Sequence, residues 1–236
     1  MHMLSYGHSL QTVDLEGVES VEDIRNRTKE FIKDNIIEKG QWIKGRGWNN
    51  DYFKGEKAFP TRYELDKITT EHPIIFTRTC GHVIITNSKT LEIAGITKDT
   101  PQIEGGHFDV DENGEPLGIF REKAKDLVHK HMPKPTVEDI KKMLQDGIKK
   151  ANECGLTSIQ SDDFEAIHGD SYGDIIKAYE ELRDEGKLNI RVYEQCLLPS
   201  IEKLSRFLEK GYNTGYGDEI FKIGPLKLLG DGSLGA

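Results

Sequence analysis

Apolar and amphipathic segments alternate regularly along the second half of the chain. Short apolar runs typical of buried strands occupy residues 157–163, 188–198 and 220–229. The segments between them, 172–185 and 200–211, repeat apolar residues with the period of a helix. Strands and helices that alternate at this spacing form parallel βαβ units, so the pattern predicts an α/β fold. Three such units are too few to close a (β/α)8 barrel.

Polar residues collect at the ends of these predicted strands. The carboxyl ends of parallel strands meet at one edge of a sheet, and a barrel enzyme keeps its site at that edge. These positions are therefore the first candidates for chemistry. In chain order they are Asp162, Asp163, Glu194, Gln195, Lys227 and Asp231.

Lys227 interrupts an apolar run that includes Leu226, Leu228 and Leu229. Such a run predicts a strand buried on both faces, and a lysine is almost never fully buried without a partner or a function. The glycine-rich turn around Asp231 is typical of a loop at the C-terminal end of a barrel strand. The alternative is an edge strand with a solvent-facing lysine and an ordinary Asp-Gly turn. The residues alone leave both interpretations open.

The rest of the chain predicts a mixture of helices, strands and turns. A capping box at Ser20 begins a helix over 21–35, and Thr136 begins another that runs to about Cys154. The Asn-Gly pair at 113–114 predicts a hairpin over 105–120. Further predicted elements are a strand at 41–48, a short helix at 60–66, two strands around a polar turn within 72–88, a helix at 88–95 and a helix opened by Glu122.

Three hydrogen-bonding residues interrupt the apolar run at 72–88. Arg78, His82 and Asn87 are candidates to converge on one pocket, because polar side chains within a buried run need partners. The alternative is that His82 is a packing histidine and Asn87 is a helix N-cap. The sequence alone does not decide between these interpretations.

Composition and charge narrow the classes of partner. The chain has 236 residues, of which 36% are hydrophobic, so it can bury a substantial core. Its net charge of −9 argues against a nucleic-acid or anionic-membrane partner, because such partners bind clustered lysine and arginine. The N-terminus lacks a basic region followed by an apolar one, and no apolar run approaches the length of a membrane span. We therefore expect a cytoplasmic protein.

The three cysteines, Cys80, Cys154 and Cys196, are odd in number and widely spaced. Each lies in or next to an apolar segment. Buried free thiols are therefore expected in preference to disulfides or a zinc site.

Several short motifs together resemble a known family. They are Gly-Arg-Gly-Trp at 45–48, Arg-Thr-Cys-Gly-His at 78–82 with Asn-Ser at 87–88, the segment 114–122, Gly-Leu-Thr at 155–157, and Lys227 followed by Asp-Gly-Ser-Leu-Gly at 231–235. In this order and spacing the sequence resembles the amidohydrolase superfamily of metal-dependent (β/α)8-barrel hydrolases. The most similar branch includes the N-substituted formamide deformylases.

The resemblance implies a fold and a division of the chain. The fold class is α/β, with a partial (β/α)8 TIM-type barrel of about the first four strands and an inserted α+β subdomain. Residues 1–40 would hold the end of the first barrel strand and a helix. Residues 41–125 would form the inserted subdomain, and residues 126–236 the barrel βα units that end at the fourth strand. The chain would then be the N-terminal part of a longer hydrolase.

The resemblance also implies a metal centre with one or two divalent ions, for which we expect zinc. His2 matches the second histidine of the His-x-His motif that ends the family's first strand. Two imidazoles one residue apart project to the same side of a strand and can hold one cation. Lys227 matches the fourth-strand lysine, which is carboxylated in many members and then presents carbamate oxygens. Arg78, His82 and Asp231 are the expected substrate-binding residues.

The implied reaction is hydrolysis of an amide-like, non-peptide C–N bond in a small-molecule substrate. The metal activates a water molecule, and a carboxylate from the eighth strand handles the proton. That aspartate lies outside this chain, so we expect the 236 residues alone to be inactive or nearly so.

Two other hypotheses stay open. The first is a non-catalytic binding or interaction module with the same fold, which associates with further copies into a homo-oligomer through the strand edges of an open barrel. The second is a metal-free barrel hydrolase that uses acids such as Asp162 and Glu194. Metal content separates the last hypothesis from a metal-dependent amidohydrolase.

Overall fold

The structure is a computed structural model that describes residues 1–35, 37–167 and 172–230. The chain divides into two compact units. One contains Met1–Gln11 together with Lys134–Ala236, and the other contains Thr12–Pro133. The division into segments 1–40, 41–125 and 126–236 stays a prediction about the larger fold.

Helices and strands alternate irregularly in the first half and regularly in the second. The helices are α1 (Met3–Leu10), α2 (Val21–Asp34), α3 (Arg62–Asp66), α4 (Ser88–Ala94), α5 (Asp126–His129), α6 (Val137–Glu153), α7 (Tyr172–Asp184) and α8 (Ile201–Glu209), with 3-10 turns at Asn50–Tyr52 and Lys123–Lys125. The strands are β1 (Val13–Asp14), β2 (Ile43–Trp48), β3 (Ile74–Arg78), β4 (Val83–Thr86), β5 (Gly106–Val110), β6 (Pro116–Glu122), β7 (Ser158–Ser161), β8 (Arg191–Leu197) and β9 (Phe221–Lys227). No helix among the described residues is long and apolar enough to cross a membrane.

The unit Thr12–Pro133 contains a sheet of six strands in the order β1-β2-β3-β4-β6-β5. Strands β1, β2 and β3 are parallel, and the remaining pairs are antiparallel. Strand β3 is buried on both faces, because Ile74 and Phe76 join one apolar cluster and Ile75 joins another. The predicted hairpin over 105–120 is confirmed as the antiparallel pair β5–β6.

The other unit contains three parallel strands in the order β7-β8-β9. Helix α7 lies between β7 and β8 in the chain, and α8 lies between β8 and β9. The predicted βαβ units and the α/β class are therefore confirmed. Helix α1 packs against α6 at Gly7, where an added Cβ would lie 1.8 Å from the carbonyl oxygen of Met143. This contact is closer than any side chain permits.

Local capping signals predicted two long helices correctly. The Ser20 side chain accepts a hydrogen bond from the Asp23 N–H at 3.0 Å and begins α2. Thr136 and Asp139 form a reciprocal capping box at the start of α6. Each helix therefore begins where the sequence pattern placed it.

The sequence missed one helix and was wrong about two of the cysteines. Helix α1 was not predicted at all. Glu122 precedes the 3-10 turn Lys123–Lys125 and α5, so the helical segment after it is confirmed, although its carboxylate lies 3.0 Å from Nδ1 of His82 and does not cap the turn. Cys80 and Cys154 are exposed and only Cys196 is buried, because the first two lie at chain turns instead of inside the strands beside them.

Candidate functional site

The candidate site lies at the carboxyl ends of the three parallel strands. Asp162 directly follows β7, Glu194 lies in β8, and Lys227 ends β9. The register pairs Ser161 with Glu194 and Leu197 with Lys227, so the strand ends lie side by side. Parallel strands bring together side chains that are far apart in the sequence.

Asp162 contacts both of the residues predicted as metal ligands. Its carboxylate Oδ2 lies 2.5 Å from Nζ of Lys227, and its main-chain oxygen lies 2.9 Å from Nδ1 of His2. Its own N–H donates to the carbonyl oxygen of Met1 at 3.1 Å. The Asp162 side chain is only 4% exposed, compared with 30% for Lys227 and 60% for His2. His2 therefore contacts the main chain of Asp162, and Lys227 contacts its carboxylate.

Asp163 has a different role, because it anchors the start of α1. Its Oδ1 accepts the Leu4 N–H at 2.9 Å, and its Oδ2 accepts the hydroxyls of Ser161 at 2.6 Å and Tyr179 at 2.7 Å. Burial raises the pKa of the Asp163 carboxyl, although these hydrogen bonds oppose the shift. Burial and the adjacent Asp163 also raise the pKa of Tyr179 well above its ordinary value.

Two buried carboxylate oxygens at this site have no hydrogen-bond partner among the described residues. They are Oδ1 of Asp162 and Oε2 of Glu194. The other Glu194 oxygen accepts the Asp163 N–H at 2.7 Å. Burial and the charge of Asp163 raise the pKa of Glu194 well above its ordinary value. Unsatisfied buried oxygens are rare in native proteins, and a proton, a water molecule or a cation is the usual partner of such an atom.

The donor types at this site suit a divalent metal, but the described residues supply only part of a centre. Imidazole and carboxylate groups are common zinc ligands, and His2 and Asp162 provide one of each. Within the described ranges, no three His, Cys, Asp or Glu side chains are placed to hold one ion. The Lys227 amine is paired with the Asp162 carboxylate, so in this arrangement it is not placed as a metal ligand.

Lys227 matches neither of the two environments that the sequence left open. It is partly exposed, but its amine is paired with Asp162 and does not point into bulk water. The leucines around it were expected to be buried on both faces of the strand. In fact Leu226, Leu228 and Leu229 are 40%, 73% and 68% exposed, because β9 ends at Lys227 and is the edge of the described sheet.

Arg78 and His82 belong to the unit Thr12–Pro133. The Arg78 guanidinium donates to Oδ1 of Asn49 at 2.5 Å, Oδ1 of Asn50 at 3.1 Å and Oδ2 of Asp51 at 2.8 Å. These bonds hold the turn at 49–51 against the end of β3. His82 is 66% exposed, and its Nδ1 faces Glu122. Their role in substrate binding stays a prediction.

Asn87 does not join these residues in a pocket. It is fully buried, and its Oδ1 accepts the N–H groups of Thr90 at 3.1 Å and Ile74 at 3.0 Å. It is therefore the N-cap of α4, as the alternative interpretation held. Asp231 lies outside the described residues.

Sequence reasoning noticed Asp162 and Asp163 but missed their separate functions. One links His2 with Lys227, and the other forms a network with Ser161 and Tyr179. The available signal was the pair of acids directly after an apolar run. Strand periodicity indicates that neighbouring residues point in opposite directions, so two adjacent acids are expected to have different partners.

The family model described as "Amidohydrolase family" matches residues 1–236, the whole chain. The chain belongs to the amidohydrolase family. The amidohydrolase resemblance seen in the sequence motifs is therefore confirmed.

Individual relatives of this amidohydrolase chain agree with that assignment. The protein YtcJ of Bacillus subtilis (strain 168) is 31% identical over 238 residues, which cover 100% of this chain and 42% of YtcJ. The N-substituted formamide deformylase of Arthrobacter pascens is 34% identical over 93 residues, which cover 39% of this chain and 17% of that enzyme.

A solved structure has the same fold over the whole amidohydrolase chain. It is an uncharacterized metal-dependent hydrolase from Pyrococcus horikoshii OT3, with a TM-score of 0.69 and 29% identity. The alignment covers 100% of this chain and 42% of that protein. The chain thus spans about two fifths of the length of YtcJ and of this hydrolase.

Proposed function

We propose that the chain is part of a metal-dependent amidohydrolase that cleaves a non-peptide, amide-like C–N bond with a metal-activated water. The observation that carries the proposal is the convergence of His2 and Lys227 on Asp162 at the carboxyl ends of parallel strands. The relationship to a metal-dependent hydrolase of the same fold supports it.

In this proposal β7, β8 and β9 are the second, third and fourth strands of a (β/α)8 barrel. The first strand would end at Met1 and His2. The hydrogen bond from the Asp162 N–H to the Met1 carbonyl supports this placement, because it joins the N-terminus to the end of β7. Strands β2 to β6 of the six-stranded sheet would belong to the inserted α+β subdomain, whereas β1 precedes it in the chain.

The chain's own residues would bind and orient the metal. His2 would be one ligand through its imidazole, and Lys227 would become a ligand only after carboxylation removes its positive charge. The acids Asp162 and Glu194 favour a cation at the site, because each has a buried oxygen without a partner among the described residues. One or two divalent ions, with zinc expected, would polarise the substrate carbonyl and lower the pKa of a bound water.

The proposed substrate is a small molecule with an amide-like bond, of which an N-substituted formamide is one type. The similarity to an N-substituted formamide deformylase supports this choice. Arg78, His82 and Asp231 are the proposed substrate-binding residues. We also propose that the protein acts in the cytoplasm and that copies associate through exposed strand edges.

Metal analysis and turnover together test the proposed function. We expect an extended chain, with the family's remaining barrel strands appended downstream, to copurify with about one or two divalent ions and to hydrolyse N-formyl compounds. The 236-residue chain should show little or no turnover. Turnover by the extended chain after complete metal removal would contradict the proposal.

One observation favours a second candidate, a metal-free hydrolase. Glu194 is buried, and its pKa is raised by burial and by Asp163. A carboxyl whose protonated form is favoured in this way is suited to act as a general acid. This candidate predicts that activity survives chelation but is lost in Glu194→Gln. The metal-dependent proposal predicts that chelation alone abolishes turnover.

A further inference from the structure

Asp162 is the common partner of the two residues that the proposed function assigns to the metal. It uses three atoms for contacts: its carboxylate Oδ2, its main-chain oxygen and its main-chain N–H. The Asp162 side of these contacts is buried, whereas His2 and Lys227 are partly exposed. A role for Asp162 in arranging the predicted ligands rests on the proposed function.

The contact with His2 determines which imidazole nitrogen carries the proton. A main-chain carbonyl oxygen can only accept, so Nδ1 of His2 must donate to Asp162. In the neutral ring the lone pair then lies on Nε2, which is the nitrogen left for a metal. Metal-binding histidines commonly donate their other N–H to a carbonyl oxygen or a carboxylate, which fixes the ring orientation.

A second hydrogen bond fixes the main chain on the same side. The Asp162 N–H donates to the Met1 carbonyl oxygen at 3.1 Å, so residues 1 and 2 are held at the end of β7 by two bonds. The Met3 N–H also donates to Ser161 Oγ at 2.9 Å. His2 is therefore held in place although most of its side chain is exposed.

The contact with Lys227 fixes the other predicted ligand. Nζ lies 2.5 Å from Oδ2, while Oδ1 of the same carboxylate has no partner among the described residues. Asp162 is one of three buried acids at these strand ends, with Asp163 and Glu194, and its carboxylate forms the ion pair with Lys227. The cluster has more carboxylates than cations, and Asp162 is the member that contacts the cation.

We propose that Asp162 is a positioning residue of the metal centre: its main-chain oxygen presents Nε2 of His2, and its carboxylate holds Lys227 beside the same site. Asp162 is not required to touch the substrate in this role. If the pair of Asp162 with Lys227 had only a structural function, the additional contact of Asp162 with His2 would be unexplained.

Nuclear magnetic resonance of the metal-free 236-residue chain tests both contacts. At a pH where His2 is neutral, we expect its 15N signals to show a proton on Nδ1 and a lone pair on Nε2. We expect the 15Nζ signal of Lys227 to show an ammonium group that exchanges slowly with water. His2→Gln and Lys227→Gln identify the two signals. A proton on Nε2 of His2 in the wild-type chain would overturn the proposal.

Asp162→Asn tests the carboxylate, because it removes the charge and keeps the main-chain oxygen. We expect the Lys227 signal to shift or broaden, while the His2 tautomer stays unchanged. Asp184→Asn is the matched control, since Asp184 is an exposed aspartate of the same unit that pairs with Arg183. It should leave both signals in place. The wild-type spectra decide the His2 contact even if Asp162→Asn does not fold.

A zinc titration of the extended chain measures how the Asp162 carboxylate affects metal affinity. Loss of a residue that orients metal ligands typically lowers metal affinity about 10–100-fold, and we expect this range for Asp162→Asn. Asp184→Asn should bind zinc like the wild type. Equal zinc affinity in Asp162→Asn and the wild type would overturn the positioning role of Asp162 but not the proposed metal dependence. Absence of zinc binding in every variant, the wild type included, would contradict the proposed metal dependence itself.

Discussion

Two neighbouring aspartates at the end of β7 have different hydrogen-bond environments. Asp163 receives three donors, from Leu4, Ser161 and Tyr179, so its carboxyl oxygens are satisfied. Asp162 receives one side-chain donor, Lys227, and keeps one oxygen without a partner in the described chain. A satisfied buried acid is a structural element, whereas an unsatisfied one is expected to serve binding or catalysis.

Asp163→Ala should therefore destabilise the protein. The change leaves a buried main-chain N–H and two hydroxyls without their acceptor, which we expect to lower the free energy of unfolding by about 3–5 kcal/mol. Asp163→Asn should cost less than half of that, because the hydroxyls of Ser161 and Tyr179 can rotate to accept from the amide. Denaturant unfolding measures both values. Equal losses of unfolding free energy in the two variants would show that the negative charge of Asp163, and not its capacity to accept hydrogen bonds, stabilises the fold.

The three cysteines should differ in reactivity. Burial raises the pKa of Cys196 to about 12, so its thiol stays protonated. Burial also acts to raise the pKa of Cys80, but hydrogen bonds from the His82 N–H and from Arg78 outweigh it and lower that pKa. We expect a thiol reagent at pH 8 to modify Cys80 and the exposed Cys154 in the native chain, and Cys196 only after unfolding.

Mass spectrometry of the labelled peptides checks this order. Because Cys80 has the lowered pKa, its labelling should be the fastest phase of the reaction, and Cys80→Ser should remove that phase. Arg78→Gln should slow the labelling of Cys80, because it removes one of the groups that stabilise the thiolate. Rapid labelling of Cys196 in the native chain would contradict its burial.

At the scale of elements, the sequence predicted those that carry their own signals. Helices α2 and α6 begin with capping residues, and the β5–β6 hairpin has an Asn-Gly turn. Helix α1 has no side-chain cap of its own. Its first N–H groups are instead accepted by Ser161 and Asp163, about 160 residues away. No local pattern can reveal a helix whose cap comes from another strand.

Helix α1 depends equally on its packing against α6. At Gly7 a methyl group would collide with the main chain of Met143, which cannot rotate away. We expect Gly7→Ala to lower the free energy of unfolding by about 2–4 kcal/mol, although alanine favours helix. Gly173→Ala in α7 is the matched control, because no atom of the described residues lies within 4 Å of the added Cβ. It should stabilise the protein by up to about 1 kcal/mol. Thermal or denaturant unfolding of both variants tests the contact.

The candidate site was predicted only in part, because its contacts also join residues that are far apart in the sequence. Strand periodicity placed polar residues at the ends of β7, β8 and β9, and the family motifs indicated His2 and Lys227. The single residue between them, Asp162, became evident only from distances. Contacts such as these depend on the register of parallel strands, and the sequence of one strand does not specify its register with the next.

At the scale of the whole molecule, the edge of the β7-β8-β9 sheet has an apolar margin. Leu228 and Leu229 follow β9 and are mostly exposed, and Leu226 within the strand is partly exposed. A strand edge beside exposed leucines is a site for association with another chain. We therefore expect the proposed association of copies of this chain to occur at the β9 edge.

Leu228→Ser combined with Leu229→Ser should weaken that association. The double variant removes two exposed leucine side chains next to β9 without disturbing the buried core, because neither residue belongs to an apolar cluster within the described chain. We expect light scattering to show a lower average mass than for the wild type at the same concentration. Ile201→Ser, which removes an 85% exposed isoleucine from α8, is the matched control and should leave the mass unchanged. A wild-type chain that is monomeric at all concentrations would rule out association through this edge, since the hydrophobic gain from covering the leucines would then be too small to offset the entropy lost on binding.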